Sequence, residues 1–452
     1  MKIFNTLSGQ KEDFAPQGGE IKMYVCGVTV YDVCHFGHAL CYVSFDVIRR
    51  YLEYRDYKVK YVQNFTDIDD KIINRARERG IPWKDLVEKY IAEYFTDTDA
   101  LNIKRATVYP RATEEIPRIL EVIRVLIEKG HAYQSEGSVY FSVKSYPGYG
   151  KLTHQSADDM RVTATAEAEK KEDPLDFALW KAVKPGEPSW PSPWGDGRPG
   201  WHIECTAMST GHLGNSLDIH GGGQDLIFPH HENEMAQSEC YTGVVPFVRV
   251  WMHNGFLQLG TDKMSKSLGN LVTIKEALAR NSADAIRLFI ISSYYRMPLK
   301  YSTEALDAAE AGLDRMRQAL KEEGKGGGAV LDVGQFRDRF VEYMDDDFNA
   351  PQAVASLFDL VREINRGNEK GLDIRDAQNI LRELAGVIGF TLQVTNKLSA
   401  DQEEEIESLI ATRNEYRKAK EWKLADEVRD RLSKMGVAIE DTAKGTAWKV
   451  TR

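Results

Sequence analysis

Residues 260 to 270 read Gly-Thr-Asp-Lys-Met-Ser-Lys-Ser-Leu-Gly-Asn, a glycine-bounded stretch with Lys263 and Lys266 three apart and Ser265 and Ser267 between and beside them. Two cations and two hydroxyls in a loop suit a polyphosphate, because transfer at phosphorus spreads negative charge that preorganised cations stabilise more in the transition state than before it. A Lys-x-x-Lys pair on its own more often faces water; the complete run Lys263-Met-Ser-Lys266-Ser267 is far more specific. A second candidate lies far upstream. His35-Phe36-Gly37-His38 stands at the expected start of a helix, where free backbone N–H groups and the positive dipole end favour phosphate. Two histidines there also serve as a helix cap, and it is the joint presence of both stretches that points to a nucleotide.

A third group suits a metal. Cys26 and Cys205 are distant in sequence, and two thiols alone do not make a zinc site, which needs four converging ligands. Phe228-Pro-His-His-Glu-Asn-Glu234 offers more: Pro229 suits a first helical turn, and His230 and Glu234 then fall on one face at i,i+4. His231 with Glu234, at i,i+3, competes. The string is not His-Glu-x-x-His, since Met235 stands where the second histidine of a zinc protease would be. Spacing alone does not establish that these ligands converge.

The elements that must position these groups follow from periodicity. Ile21, Met23 and Val25 alternate into a strand expected to end at Cys26, with a turn at Gly27. Leu40, Val43, Val47, Ile48 and Tyr51 recur at helical spacing after HFGH, and Val59 to Gln63 forms a second strand, completing a βαβ unit with a right-handed crossover and a parallel sheet. Residues 71 to 129 read as mainly helical. Gly137 to Phe141 and the Pro, Gly and Trp-rich Lys184 to Trp201 read as irregular and inserted. Strands return at Leu217 to His220 and Phe247 to Met252, and beyond Ser302 the chain has the composition of a helical bundle. The expected organisation is a split α/β Rossmann-type domain (1–115 and 201–302) around an inserted connective region (116–200), then a helical bundle (303–400) and a small carboxyl-terminal module (401–452).

Composition sets limits. A chain of 452 residues has room for several domains, and 42% hydrophobic with 28% charged residues is globular. No apolar run reaches membrane-spanning length and the amino terminus has no signal pattern, so a cytoplasmic protein without a membrane partner is expected. Five scattered cysteines suit free or metal-bound thiols rather than disulfides. The net charge of -10 gives no hint of a polyanionic partner, although residues 411 to 435 carry eight Lys or Arg against five Asp or Glu.

HFGH and KMSKS together resemble the paired ATP signatures of class I aminoacyl-tRNA synthetases, with Phe36 where that family usually has Ile. MYVCGVTVYD, NFTDIDDKI, GWHIECTAM, HGGGQDLIFPHHENE and KMSKS resemble, from end to end, the cysteinyl-tRNA synthetases. The resemblance implies one zinc ion per chain on Cys26, Cys205, His230 and Glu234, with the cysteine thiolate as an added ligand. It implies ATP, with magnesium, bound by His35, Gly37, His38, Gly221, Gly222, Gly223, Asp225, Lys263, Ser265, Lys266 and Ser267, and catalysis by His35, His38, Lys263 and Lys266. Cysteine would meet Cys26, Thr66, Trp201 and His230, and His220 would lie with the glycines near adenosine. The partners implied are L-cysteine, ATP and tRNA(Cys), the oligomeric state a monomer. Arg413, Arg417, Lys418, Lys420, Lys423 and an exposed Trp448 would then contact the anticodon end, beside an apolar stripe of Leu424, Val428 and Leu432. Zinc serves discrimination: an apolar pocket separates near-isosteres such as cysteine and serine by only about 10- to 200-fold. Competing readings are a cysteine–amino sugar ligase of mycothiol synthesis, which would lack the tRNA-binding extension, and a catalytically silent tRNA-binding paralogue.

Overall fold

The computed structural model describes residues 1–16, 18–156, 160, 171–259, 262–263, 272–321, 328–393, 400–442 and 445–450. Two compact units result, Met1–Leu392 and Gln393–Arg452.

The first unit opens with a hairpin, β1 (Lys2–Asn5) and β2 (Gln10–Asp13), followed by β3 (Glu20–Thr29), α1 (Phe36–Tyr54) and β4 (Lys58–Thr66). β3 and β4 are parallel, as the βαβ reading requires. Burial of consecutive residues from Met23 to Cys26 marks β3 as a strand covered on both faces. Alternation then sorts its side chains: Met23 and Val25 join the core beneath α1, while Tyr24 and Cys26 join a separate cluster with Cys205 and Met208. β3 does not stop at Cys26. It runs on to Thr29 with a register shift between Val25 and Val28, so Gly27 lies within the strand and not in a turn. A side chain there would put its Cβ 1.6 Å from the Asn64 carbonyl oxygen, and glycine is what permits that approach.

α2 (Asp70–Arg79), α3 (Trp83–Ala100) and α4 (Ile116–Glu128) follow. The insertion is more regular than its composition indicates: β5 (Ala132–Ser135), β6 (Ser138–Phe141), β7 (Phe177–Ala182) and β8 (Gly197–Pro199) form one antiparallel sheet over its own apolar cluster. Ser138 to Phe141, after a turn at Gly137, and Gly197 to Pro199 at the end of the Trp-rich stretch therefore belong to strands. Strands of three or four residues leave too few alternations to read.

α5 (Trp201–Leu213), β9 (Leu217–Gly223), α6 (Glu232–Thr242) and β10 (Val248–Asn254) complete the main sheet, parallel throughout in the order β10-β9-β3-β4. Pro229 precedes α6 in a wide turn over Ile227–His231, so it is not in the first turn of the α-helix. β11 (Leu257–Leu259), β12 (Asp262–Lys263), α7 (Ile274–Leu278), α8 (Ala283–Ile291) and β13 (Leu299–Tyr301) lead into the helices α9 (Thr303–Lys321), α10 (Gly334–Asp345), α11 (Ala350–Glu369) and α12 (Arg375–Val387). Among the described residues no helix is long and apolar enough to cross a membrane.

The second unit pairs α13 (Ala400–Lys418) and α14 (Trp422–Lys434) with a hairpin, β14 (Val437–Thr442) and β15 (Gly445–Val450). Its core gathers Ile406, Ile410, Leu432 and Val437, with Val428 and Trp448 packed against them. Trp448 is therefore part of this core and not an exposed platform, and Leu424 leaves the stripe for the surface. Arg413 and Arg417 are both tied to Asp441.

One buried ion pair joins α1 to α8. Asp46 accepts from Arg287 Nη2 at 2.6 Å, from Arg50 Nε at 2.7 Å and from the Lys104 N–H at 2.9 Å, and Arg287 also donates to the carbonyls of Leu101 and Ile388. Removing the carboxylate strands a buried guanidinium. Asp46→Ala is expected to cost about 3–5 kcal/mol, read as a lower denaturant midpoint; a midpoint within error of the parent would refute the assignment of this pair to stability.

Candidate active site

The segment before α1 and the residues that follow the lysine stretch are bonded to one another. α1 begins at Phe36 with His35 as its N-cap, the His35 N–H donates to His38 Nδ1 at 3.2 Å, and the two rings stack at 3.7 Å. The cap role of His38 is thus real, and it fixes both imidazoles at the helix start. Gly37 sits beneath them, where a Cβ would lie 2.9 Å from His35 Nδ1. Immediately after the lysine loop, Val272 accepts from the Phe36 N–H at 2.8 Å, Thr273 bridges to His35, and the Ile274 N–H donates to Cys34 at 3.1 Å. The other end of the loop is held by β12, whose Lys263 pairs in register with Gln258 of β11. Ser265, Lys266 and Ser267 lie outside the described residues.

Gly221, Gly222 and Gly223 end β9, paired with Met252, His253 and Asn254 of β10. Packing explains two of these glycines: a Cβ on Gly221 would meet the Phe45 ring at 2.2 Å, and one on Gly222 would meet His231 Cε1 at 2.8 Å. Asp225 follows on an exposed turn.

Cys26 Sγ lies 3.9 Å from Cys205 Sγ and 3.5 Å from Glu234 Oε1, and His230 Nε2 lies 2.7 Å from the same carboxylate oxygen. All four are buried, and their ligand atoms lie within 4.8 Å of one another. Tetrahedral zinc with bonds of about 2.3 Å to sulfur keeps its sulfurs about 3.8 Å apart. The observed thiol pair fits that span. A second group shares two members: Cys26, His220, His231 and Glu234 also lie within 4.8 Å. His220 Nε2 contacts Glu234 Oε2 at 2.7 Å, and His231 links Cys26 Sγ (3.2 Å) to His253 Nε2 (2.7 Å), whose Nδ1 reaches Thr6 Oγ1 at 2.8 Å. One nitrogen of His220 is thus directed at the Glu234 carboxylate. His231 and His253 enter because β9, β10 and the turn before α6 converge, which no sequence spacing reveals.

Trp201, 36% exposed at the start of α5, stacks on the His230 ring at 4.2 Å and marks the open side of the cluster. Thr66, at the end of β4, donates to Glu204 Oε2 at 2.8 Å. Of the predicted groups, the structure therefore brings together Cys26, Cys205, His230, Glu234 and Trp201, and separately His35, Gly37 and His38 with the base of the lysine loop.

Burial and the mutual interaction of these groups set where each holds its proton. Burial pulls the His230 pKa down, but Glu234 and Cys205 outweigh it and lift it to about 10. Burial works against the Glu234 charge, yet His220 and His230 hold its carboxyl well below the usual range. Burial, the Cys205 sulfur and Glu234 push the Cys26 thiol well up; burial also opposes ionisation of Cys205, but the Cys26 hydrogen bond and His230 bring it to about 7.

The chain matches the model of the tRNA synthetases class I (C) catalytic domain over residues 14–311, the DALR domain over 339–393 and the cysteinyl-tRNA ligase anticodon binding domain over 399–448. Its fold is similar to that of a Mycobacterium tuberculosis methionyl-tRNA synthetase, with a TM-score of 0.60 at 17% identity over 82% of this chain and 90% of that one. Sheet, paired signatures and catalytic-domain match together define a class I aminoacyl-tRNA synthetase. A curated relative from Dehalococcoides mccartyi, named cysteine--tRNA ligase, is 55% identical over 100% of this chain and 99% of its own length. Another of that name from Cronobacter sakazakii is 50% identical over 99% of each. The chain belongs to the cysteine--tRNA ligase family.

If Cys26 and His230 hold zinc, the protons they carry must leave, and zinc uptake is then expected to release about two protons at pH 7 and to weaken as pH falls. Calorimetry in buffers of different ionisation heat measures this; release near zero would exclude these two as ligands.

Proposed function

We propose that this chain activates L-cysteine with ATP, forming cysteinyl-adenylate and pyrophosphate, and transfers the cysteinyl group to the 3'-terminal adenosine of tRNA(Cys). The observation that carries this reading is the convergence of two thiols, an imidazole and a carboxylate on the open side marked by Trp201. Cys26, Cys205, His230 and Glu234 are the set that would hold zinc. Two arguments favour them over the group with His220 and His231: two thiolates suit a soft-tolerant ion better than one, and Trp201 places His230 where a substrate can arrive. When bound, zinc would lower the thiol pKa of cysteine and bond its sulfur, an affinity that a serine hydroxyl does not share.

The chain's own residues do the rest. Trp201 and Thr66 would flank the amino acid. His35 and His38, fixed at the positive end of α1, would bind the phosphates with Gly37 allowing close approach, and Asp225 would accept from ribose hydroxyls. Lys263 and Lys266, with Ser265 and Ser267, would neutralise charge that develops as the cysteine carboxylate attacks the α-phosphate and pyrophosphate departs, with magnesium accompanying the nucleotide. In the second unit, Arg413 and Arg417 are occupied by Asp441, which shifts the proposed tRNA contact to Lys418, Lys420 and Lys423. Trp422, 58% exposed among them, is the aromatic able to stack on an unpaired base. The anticodon-domain match over 399–448 weighs against the amino sugar ligase. We read the protein as a cytoplasmic monomer with the five-part organisation set out above.

Cysteine-dependent exchange between pyrophosphate and ATP, followed by transfer to tRNA(Cys), tests the reading; transfer only to an amino sugar would replace it. Lys266→Ala is expected to slow adenylate formation by at least ~10²-fold, and a near-normal rate would remove Lys266 from the mechanism. Cys205→Ser is expected to deplete bound zinc and cysteine activation together; full zinc content in this variant would reject the ligand set.

A further inference from the structure

Tyr24 is 0% exposed, and its hydroxyl has no hydrogen-bond partner among the described residues. A phenol shut away from water ordinarily finds a partner, because an unpaired buried donor is costly. Phenylalanine would fill the same space without that cost. The ring itself is fixed on both sides: Tyr24 stands opposite Val62 of β4 and His220 of β9 in the parallel sheet, edge-on to the His220 ring at 5.0 Å.

What surrounds the hydroxyl is the metal-ligand set. Tyr24 lies two residues before Cys26, on the same face of β3, and packs in one buried cluster with Cys26, Cys205 and Met208. Burial pushes the phenol pKa well up, and Cys205, Cys26 and Glu234 push it the same way, Cys205 most strongly of the three. The group keeps its hydrogen and is a donor. A thiol sulfur is a weak acceptor, whereas an ionised acceptor makes bonds roughly twice as strong. The unpaired donor therefore stands beside a sulfur that gains acceptor strength when it binds a metal as thiolate.

Two thiolates and a carboxylate outweigh the charge of one zinc ion, so a substrate thiolate added to that centre meets net negative charge. A hydrogen bond to one of the protein's own sulfurs draws density from it and leaves the metal a better acceptor. We propose that Tyr24 is a positioning residue for the metal centre: its O–H donates to the Cys205 sulfur when that sulfur is a zinc ligand, holding it in place and tempering its charge so that the cysteine thiolate can bind. The inference rests on the reading that Cys26, Cys205, His230 and Glu234 hold zinc. In the group with His220 and His231, the Cys205 sulfur would take no metal and the Tyr24 donor would stay unpaired.

The test is Tyr24→Phe in the full-length protein, which removes the hydroxyl and keeps the ring. Zinc affinity, measured by competition with a chromogenic chelator, is expected to fall by about tenfold or more. Cobalt(II) reports on its ligands where zinc is spectroscopically silent: with the hydrogen bond gone, the sulfur-to-cobalt charge-transfer band is expected to move to longer wavelength. The KM for cysteine should rise in the zinc-loaded variant while the KM for ATP stays as in the parent. The denaturant midpoint of the metal-free protein should be unchanged or higher, since no bond is lost there. Unchanged zinc affinity, an unmoved band or an unmoved KM for cysteine overturns the proposal. So does a metal-free midpoint lowered as far as the zinc-loaded one, which would give the hydroxyl a structural task unrelated to the metal. Should the metal-free variant fail to fold, the band of protein produced with cobalt decides. A parent protein that binds cobalt with no thiolate charge-transfer band would overturn the ligand set itself, and one without cysteine-dependent exchange the synthetase reading; both failures are seen before the variant is made.

Discussion

A carboxylate in a dry interior organises this molecule. Glu234 is gripped on one oxygen by His230 and on the other by His220, each at 2.7 Å, with the Cys26 sulfur 3.5 Å away. The cost of burying that charge is met only if both imidazoles are held in place, and they come from different elements: His220 from β9 and His230 from the turn before α6. His220 stacks on Trp251 of β10, and His231, which follows His230 in the chain, is bonded through His253 to Thr6 of the amino-terminal segment. The relative placement of three parallel strands and one helix is thus tied to a single ionised group.

Sheet physics explains why the thiols meet there. Both faces of β3 are covered, so its alternation divides the side chains between two cores, Met23 and Val25 toward α1 and Tyr24 and Cys26 toward α5. Cys205 lies one turn into α5, on the face directed at that same core. The bulge at Gly27 lets β3 continue past the thiol and press against Asn64, which brings the end of β4, and Thr66 with it, beside α5. Thiols nearly 180 residues apart converge because each obeys a local periodicity, one on the sheet and one on the helix that covers it.

The long elements were legible for that reason. The βαβ unit, the helix after HFGH and the strands at Leu217 and Phe247 carry strong periods, and their parallel pairing follows from the crossover rule. The antiparallel sheet of the insertion was not legible, since β8 has three residues and β5 and β6 four each. Gly27 was misread as a turn because a glycine after an alternating run signals a stop, and only the neighbouring strand shows it to be a close approach. In the second unit, the basic residues looked equivalent along the helix. Asp441 arrives from a hairpin more than twenty residues away and takes two of them, and the same hairpin draws Trp448 into the core while Trp422 stays outside. Charge and aromatic content can be counted in sequence; which of them are already spent is a tertiary fact.

The lysine loop raises a problem of reach that its anchors answer. Bringing a cation from a free segment to the start of α1 would cost the entropy of closing a loop of indefinite length. Here the span is bounded on both sides, by the pairing of Lys263 with Gln258 on one side and by the bonds from Val272, Thr273 and Ile274 to the HFGH segment on the other. The second anchor uses the backbone of residues 34 to 36, the same residues that begin the helix and set the two imidazoles. Any shift of that helix start carries the loop's root with it, so the proposed phosphate ligands on either side of a nucleotide keep a common reference. Catalysis by positioning depends on such shared reference points, because a displacement of about 1 Å between reacting groups can cost ~10²-fold in rate.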